Sequence, residues 1–204
     1  EGKWFVQDRA AQWISTLLDP LPGERVLDAC SAPGGKTTHL AELMGDFGEV
    51  WAVDRSEKRL NQVRSNAQRM KLNSINFVKA DASKLLKERP SWLGYFHRIL
   101  LDAPCSGLGT LGRNPDARWR ISPEMISDLV LLQSRLLESL LPLLANGGTL
   151  VYSTCTFNPK ENTEQIESFI ANHPCLTLEN QKQIWPGLNN AGDGFYGAVI
   201  CYNK

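Results

Sequence analysis

Short apolar runs alternate with amphipathic helical segments five times along this chain, and few folds accommodate that rhythm. Parallel strands joined by right-handed helical crossovers do, so the pattern specifies an α/β, doubly wound, mostly parallel sheet. Strands are expected over residues 25–30, 50–54 and 75–80, then in Ile99-Leu100-Leu101-Asp102 and Leu150-Val151-Tyr152-Ser153-Thr154-Cys155. Helices are expected over residues 7–18, with Asp8 as N-cap and a place at the sheet edge, and over 37–44 and 58–72. Ser122-Pro123-Glu124 starts a long helix that stops near Gly147-Gly148 unless Pro142 ends it early. Asn158-Pro159-Lys160-Glu161 has the residues of a capping box for the last helix. A weaker segment, 83–88, and two closing strands, 176–178 and 198–202, complete the pattern.

A chain of 204 residues buries one large core without staples, so residues 1–204 are expected to form a single domain, with 1–24 as lead and edge helix. Lys and Arg number 22 and so do Asp and Glu, which excludes a domain-wide basic field. Any nucleic-acid contact is expected to be local, or supplied by missing sequence. The loop 108–119 and its end form the most basic stretch, where Arg113, Arg118 and Arg120 face only Asp116. The basic face of helix 58–72 reads as solvated surface. Five Cys, an odd number, without a signal peptide or bilayer-length apolar run, point to reduced thiols in the cytoplasm, and no membrane. The chain opens on Glu1, and the expectation is a fragment lacking an upstream domain.

Chemistry concentrates at the strand ends, where open α/β sheets hold their ligands. After the first strand, Gly34-Gly35 lets backbone approach a ligand, and the helix beginning near Lys36 offers free N–H groups. The spacing is neither GxGxxG nor a phosphate loop, which disfavours a dinucleotide. Asp54, closing the second strand, is placed to accept ribose hydroxyls, and Asp81 to accept an adenine amine; in register with the glycine loop they favour an adenosine-bearing ligand over simple helix caps. Cys105 sits in a turn after Pro104, and Cys155 follows one crossover later; if their strands are neighbours, both thiols face one pocket. Cys175 and Cys201 read as small hydrophobes inside strands. His39, His97 and His173 are not spaced as zinc ligands, so no metal is expected.

Three runs carry a family resemblance: Asp28-Ala29-Cys30-Ser31-Ala32-Pro33-Gly34-Gly35-Lys36-Thr37-Thr38-His39, Asp102-Ala103-Pro104-Cys105-Ser106-Gly107, and Tyr152-Ser153-Thr154-Cys155. Together they make the chain similar to the RNA cytosine carbon-5 methyltransferases, most of all the bacterial RsmB/Sun/Fmu type, which modifies small-subunit ribosomal RNA. The resemblance covers essentially the whole chain. It implies a seven-stranded Rossmann-like sheet with its last strand antiparallel, S-adenosylmethionine as methyl donor, RNA as partner, and no obligate protein partner. By position, Cys30, Ser31, Ala32, Pro33, Gly34, Gly35 and Lys36 would hold the methionine end, Asp54 the ribose and Asp81 the adenine. Asp102 would lie between cofactor and target base, Cys155 would be the nucleophile, and Cys105 would assist product release. Asp102 and Lys36 would meet the charge that nucleophilic addition drives onto the ring, and Arg113, Arg118 and Arg120 are candidates for RNA phosphate. A NusB-like RNA-binding domain is expected upstream. Gly112-Arg113 and Phe195-Tyr196 depart from the family's paired arginines and paired phenylalanines. Alternatives are the same chemistry on transfer RNA or another ribosomal site, a small-molecule methyltransferase with inert cysteines, and a non-catalytic RNA assembly factor.

Overall fold

Ile99, Leu100 and Leu101 are all fully buried, as a strand covered on both faces by helices must be. They belong to β4 (Phe96–Asp102), near the centre of a seven-stranded sheet in a computed structural model describing residues 2, 4–187 and 192–203. Its order is β3-β2-β1-β4-β5-β7-β6, with β1 (Arg25–Asp28), β2 (Glu49–Asp54), β3 (Ile75–Lys79), β5 (Leu144–Thr154), β6 (Leu176–Ile184) and β7 (Phe195–Tyr202). Only β7 runs against its neighbours, pairing antiparallel with β5 and β6. Strand order reverses between β1 and β4, and the crevice of a doubly wound sheet opens outside the carboxyl ends at such a reversal.

Alternation along β4 divides the core. Ile99 and Leu101 join Leu27, Tyr152 and the apolar sides of α4 (Leu85–Glu88), α5 (Pro123–Leu140) and α6 (Thr163–Ala171). Leu100 joins Val26 and Val151 on the opposite face, under α1 (Arg9–Leu18), α2 (Gly35–Leu43) and α3 (Glu57–Met70). Burying each such side chain contributes about 1.5–3 kcal/mol, so strand register is well determined and the residue just past each strand is carried to the crevice.

Several expected boundaries move for identifiable reasons. Asp8 does cap α1, accepting from Ala10 N–H at 2.9 Å, but the helix starts at Arg9 and lies across the sheet face instead of its edge, with Ile14 and Leu17 over Gly197 of β7. The first strand ends at Asp28, and residues 29–30 already turn. Helix α2 begins at Gly35, two residues before Thr37. Helix α3 runs Glu57–Met70, and the third strand stops at Lys79. Ser122 caps α5 through Met125 N–H as expected, whereas Pro142 ends the helix by forcing a short 3-10 turn over Leu141–Leu143. Gly147 and Gly148 therefore lie inside β5, at a register shift opposite Phe96 and Arg98. The closing strands are longer than expected; part of the turn-rich segment between them, residues 188–191, lies outside the described residues. Cys175 sits in a turn and Cys201 near the end of β7, both only half-buried. Among the described residues, no helix is long and apolar enough to cross a membrane.

Candidate active site

Strands β1, β2 and β4 each deliver an aspartate, Asp28, Asp54 and Asp102, to the crevice. β4 ends on Asp102, whose Oδ2 accepts from Lys36 Nζ at 2.7 Å and whose Oδ1 accepts from Ser153 Oγ at 2.8 Å. Lys36 stands in the first turn of α2, and its ammonium lies 5.1 Å from the centre of the Phe195 ring. Burial opposes the charge on Lys36, but the Asp102 carboxylate outweighs burial and the net effect holds its pKa above the ordinary value.

The two expected neighbours are neighbours. Parallel pairing of β4 and β5 sets Asp102 beside Ser153, and the turns that follow bring Cys105 Sγ to 3.5 Å from Cys155 Sγ. The pair is asymmetric. The hydrogen bond received from Cys105 lowers the Cys155 thiol below its ordinary pKa, with Lys36 helping and burial and Asp102 opposing. Cys105 is pushed well above the ordinary value by the same hydrogen bond and by burial. Hence Cys155 is the thiol that yields its proton more readily and Cys105 the one that holds it more tightly.

Two cavities meet at these groups, sharing Cys30, Ala32, Asp102 and Cys155 in their walls. One, about 410 Å³, extends past Asp54, Arg59 and Asp81; the other, about 340 Å³, passes Asp28, the loop 30–36, Arg113 and Phe195. Asp54 Oδ1 accepts from Ser56 N–H at 2.8 Å and Asp81 Oδ1 from Ser83 N–H at 3.0 Å, so both strand-end acids cap the next element while lining the cavity. The glycine pair serves the protein's own packing as well. Gly34 adopts a φ of 106°, and an added Cβ would stand 3.0 Å from Val63; at Gly35 it would stand 2.8 Å from Phe5.

The basic loop is less free than its sequence suggested. Arg113 is ion-paired with the buried Asp193, a partner too distant in sequence to be paired from composition, and Arg120 with Asp116 at 2.8 Å. Arg118 is exposed and makes no ion pair among the described residues. Only Arg113 lines a cavity with Cys155; Arg118 and Arg120 line neither. The described residues hold no cluster of His, Cys, Asp or Glu that could bind a metal ion.

Sequence reasoning missed Asp28 and Glu161. Asp28 ends β1 fully buried, takes a 2.6 Å hydrogen bond from Thr37 on Oδ2, and leaves Oδ1 without a partner at the cavity wall. Burial pushes its carboxyl up to about 7, with Thr37 opposing. The folded chain thus keeps a proton that the unfolded chain, at the ordinary 3.8, has already lost. Native stability of the ligand-free chain is therefore expected to fall, by up to a few kcal/mol, as pH rises from about 4 to about 7, and to level off above. Asp28→Asn should flatten that slope in calorimetric Tm against pH; an unchanged slope would assign it to another group. Glu161, expected to close a capping box, turns inward instead, to the Cys105 loop.

Comparison with known proteins gives this arrangement a context. A family model described as 16S rRNA methyltransferase RsmB/F matches residues 15–200. The chain belongs to the RsmB/F family of 16S rRNA methyltransferases. A probable ribosomal RNA small subunit methyltransferase B from Synechocystis is 52% identical over 173 residues, covering 85% of this chain and 38% of the relative. Ribosomal RNA small subunit methyltransferase B of Yersinia pseudotuberculosis is 44% identical over 203 residues, covering 96% of this chain and 46% of the relative. The chain thus spans less than half the length of these RsmB relatives. The crystal structure of NSun6 from Pyrococcus horikoshii with SFG, an S-adenosylmethionine analogue, superposes with a TM-score of 0.89 at 28% identity, over 100% of this chain and 54% of that one.

The RsmB/F family is S-adenosylmethionine-dependent, and the residues present fit that cofactor. The orphaned Asp28 Oδ1 is a buried acceptor suited to an ammonium, and Asp54 and Asp81 present carboxylates at the other end of the joined cavities.

Proposed function

We propose that this chain carries out S-adenosylmethionine-dependent methylation of carbon 5 of a cytosine in small-subunit ribosomal RNA, through a covalent cysteine–cytosine adduct. One observation carries this reading: two thiols from neighbouring strand ends touch at 3.5 Å where two cavities meet. Carbon 5 of cytosine is too poor a nucleophile to take a methyl group unaided. Addition of the Cys155 thiolate to carbon 6 pushes an electron pair through the ring and makes carbon 5 nucleophilic. The Lys36 ammonium, fixed by Asp102 at 2.7 Å, stands where negative charge on the ring edge can be met. Bound S-adenosylmethionine supplies the methyl group from a sulfonium. Its methionine end would be held by Asp28 and the loop 30–36, and its adenosine by Asp54 and Asp81. Release requires the carbon-5 proton to leave and Cys155 to depart as a thiolate. Cys105 is assigned to this step: once Cys155 is bonded to carbon 6 it no longer holds the Cys105 proton, which passes to solvent, and the Cys105 thiolate then takes the carbon-5 proton as Cys155 leaves carbon 6 as a thiolate.

A substrate base must stand clear of its stack to reach such a junction, so the target lies in a loop, a single strand or a flipped position. Arg113, held by Asp193 at the cavity rim, and exposed Arg118 are the candidates for flanking phosphates, with Arg120 less available. Carbon-5 methylation exchanges hydrogen for methyl. Small-subunit RNA carrying tritium on carbon 5 of its cytosines is therefore expected to release one tritium per methyl group gained. Methyl incorporation without tritium release would move the reaction to another atom.

A further inference from the structure

We propose that Glu161 is a positioning residue for both thiols: its buried carboxylate, with Asn162 beside it, clamps the Cys105 and Cys155 turns together at the sulfur–sulfur contact. The inference rests on the reading above, in which those sulfurs do the chemistry.

Glu161 is fully buried and Asn162 is 2% exposed, in the turn that precedes α6. Glu161 has no cationic partner among the described residues; its carboxylate is held by donors from the Cys105 side. Ser106 donates its N–H to Oε1 at 2.8 Å and its hydroxyl to Oε2 at 2.5 Å. Gln133 of α5 donates to Oε1 at 3.1 Å, and its same amide reaches Pro104 O at 2.9 Å. The peptide groups on either side of Cys105 are thereby pinned to one carboxylate–amide pair, and Cys105 has little freedom to turn its sulfur away.

The Cys155 turn is tied from the same place. Thr156 Oγ1 lies 2.9 Å from Ser106 Oγ, so the residues that follow the two cysteines are joined hydroxyl to hydroxyl. Asn162 accepts from Thr154 Oγ1 at 2.6 Å and donates to Thr156 O at 3.0 Å, holding the residue on each side of Cys155. Tyr152, earlier on β5, donates to Glu161 O at 2.7 Å. Two consecutive residues thus bracket both sulfurs. An isolated buried carboxylate is costly to retain unless its lone pairs are filled; here the donors that fill them hold the Cys105 turn, the adjacent Asn162 holds the Cys155 turn, and the Ser106–Thr156 contact joins the two. Loosening the clamp lets Cys105 swing out of donor range, and Cys155 loses the hydrogen bond that favours its thiolate.

The test follows the thiols without cofactor or RNA. The native chain and its variants are alkylated with iodoacetamide across the neutral and alkaline range, and Cys105 and Cys155 are followed separately by peptide mass spectrometry. In Glu161→Ala the midpoint for Cys155 is expected to rise by about one unit, cutting its alkylation at neutral pH about tenfold. Glu161→Gln keeps an acceptor for Ser106 N–H, while the Ser106 hydroxyl reverses to accept from the new amide, so it should restore most of the native profile. Ser106→Ala, which removes the hydroxyl link to both turns with little change of volume, should shift the midpoint the same way by less, and is the deciding variant if Glu161→Ala does not fold. A carboxylate that served only stability would lower Tm and leave the titration in place. A native midpoint in folded Glu161→Ala or Ser106→Ala overturns the proposal. Should the midpoint move while the native chain releases no tritium from RNA, the clamp stands and the methylation reading falls; with tritium released and the midpoint unmoved, methylation stands and the clamp falls.

Discussion

Cys155→Ala is expected to lose methyl transfer to RNA by roughly 10⁴-fold or more, the scale on which removal of an enzyme's covalent nucleophile acts. Cys105→Ala should behave differently, gathering RNA on the protein in a complex that survives denaturing electrophoresis. The difference follows from the unequal surroundings of the two sulfurs. The sulfurs lie 3.5 Å apart, and their contact and the nearby Lys36 lower the Cys155 thiol while the contact and burial raise Cys105, so Cys155 is the better nucleophile of the two before RNA arrives. Without Cys155 no bond to carbon 6 forms, and carbon 5 stays unreactive. Without Cys105 addition and methyl transfer proceed, but the carbon-5 proton has lost its acceptor and the bond from Cys155 to carbon 6 is not broken. Addition itself should slow in Cys105→Ala at neutral pH, because the largest influence lowering the Cys155 pKa is gone. The reactive form is the deprotonated one, so a raised pKa moves the rising limb of the rate to higher pH. Labelled methyl incorporation, gel-shifted protein and the pH dependence of both separate the roles. Activity surviving in Cys155→Ala, or a denaturation-stable adduct in Cys155→Ala instead of Cys105→Ala, would exchange or remove the assignments.

What the sequence disclosed of this molecule tracks burial. Strands β1, β2 and β4 are covered on both faces, and their apolar runs announce them and the acids Asp28, Asp54 and Asp102 that close them. Edge strand β6 is the opposite case. Glu179, Asn180, Gln181 and Lys182 are exposed, so no alternation marks the strand beyond Leu178; backbone pairing with β7 alone extends it to Ile184. Within the site, Cys105, Cys155, Lys36 and Asp102 stand at strand ends or in a helix's first turn, where position follows from secondary structure. Asp193 and Glu161 do not. Asp193 reaches Arg113 across 80 residues of sequence, and Glu161 satisfies every local requirement of a capping box yet is drawn inward by Ser106, 55 residues away. Asn158 caps the short turn alone, through Lys160 N–H. Local pattern predicts local partners, and Asp193 and Glu161 escaped it because their partners lie on another crossover, while Asp28 escaped it because its burial is set by the sheet and not by its neighbours in sequence.

Lys36→Met should separate the two things this side chain does. As the cation nearest the reacting ring edge, it is expected to contribute about 10²–10³-fold to the rate, the scale of one preorganised charge donor in a site sheltered from water. As a neighbour of Cys155 it also lowers the thiol, so its loss should displace the pH profile upward as well as depress the plateau. A plateau loss alone would confine Lys36 to the ring; a displaced profile with a native plateau would confine it to the thiol. Stability complicates the comparison, because removing one member of a wholly buried ion pair costs about 3–5 kcal/mol. Asp102, however, keeps Ser153 as donor and is 28% exposed on its cavity wall, so the cost here should be well below that figure. Asp102→Asn supplies the matching control. Its amide oxygen still accepts from Lys36 while its NH2 donates to the Ser153 hydroxyl, it relieves one of the influences raising the Cys155 pKa, and it should shift the alkylation midpoint of Cys155 downward even as methyl transfer falls. Opposite movements of reactivity and turnover in that one variant would place Asp102 at the base; parallel movements would leave it a holder of Lys36.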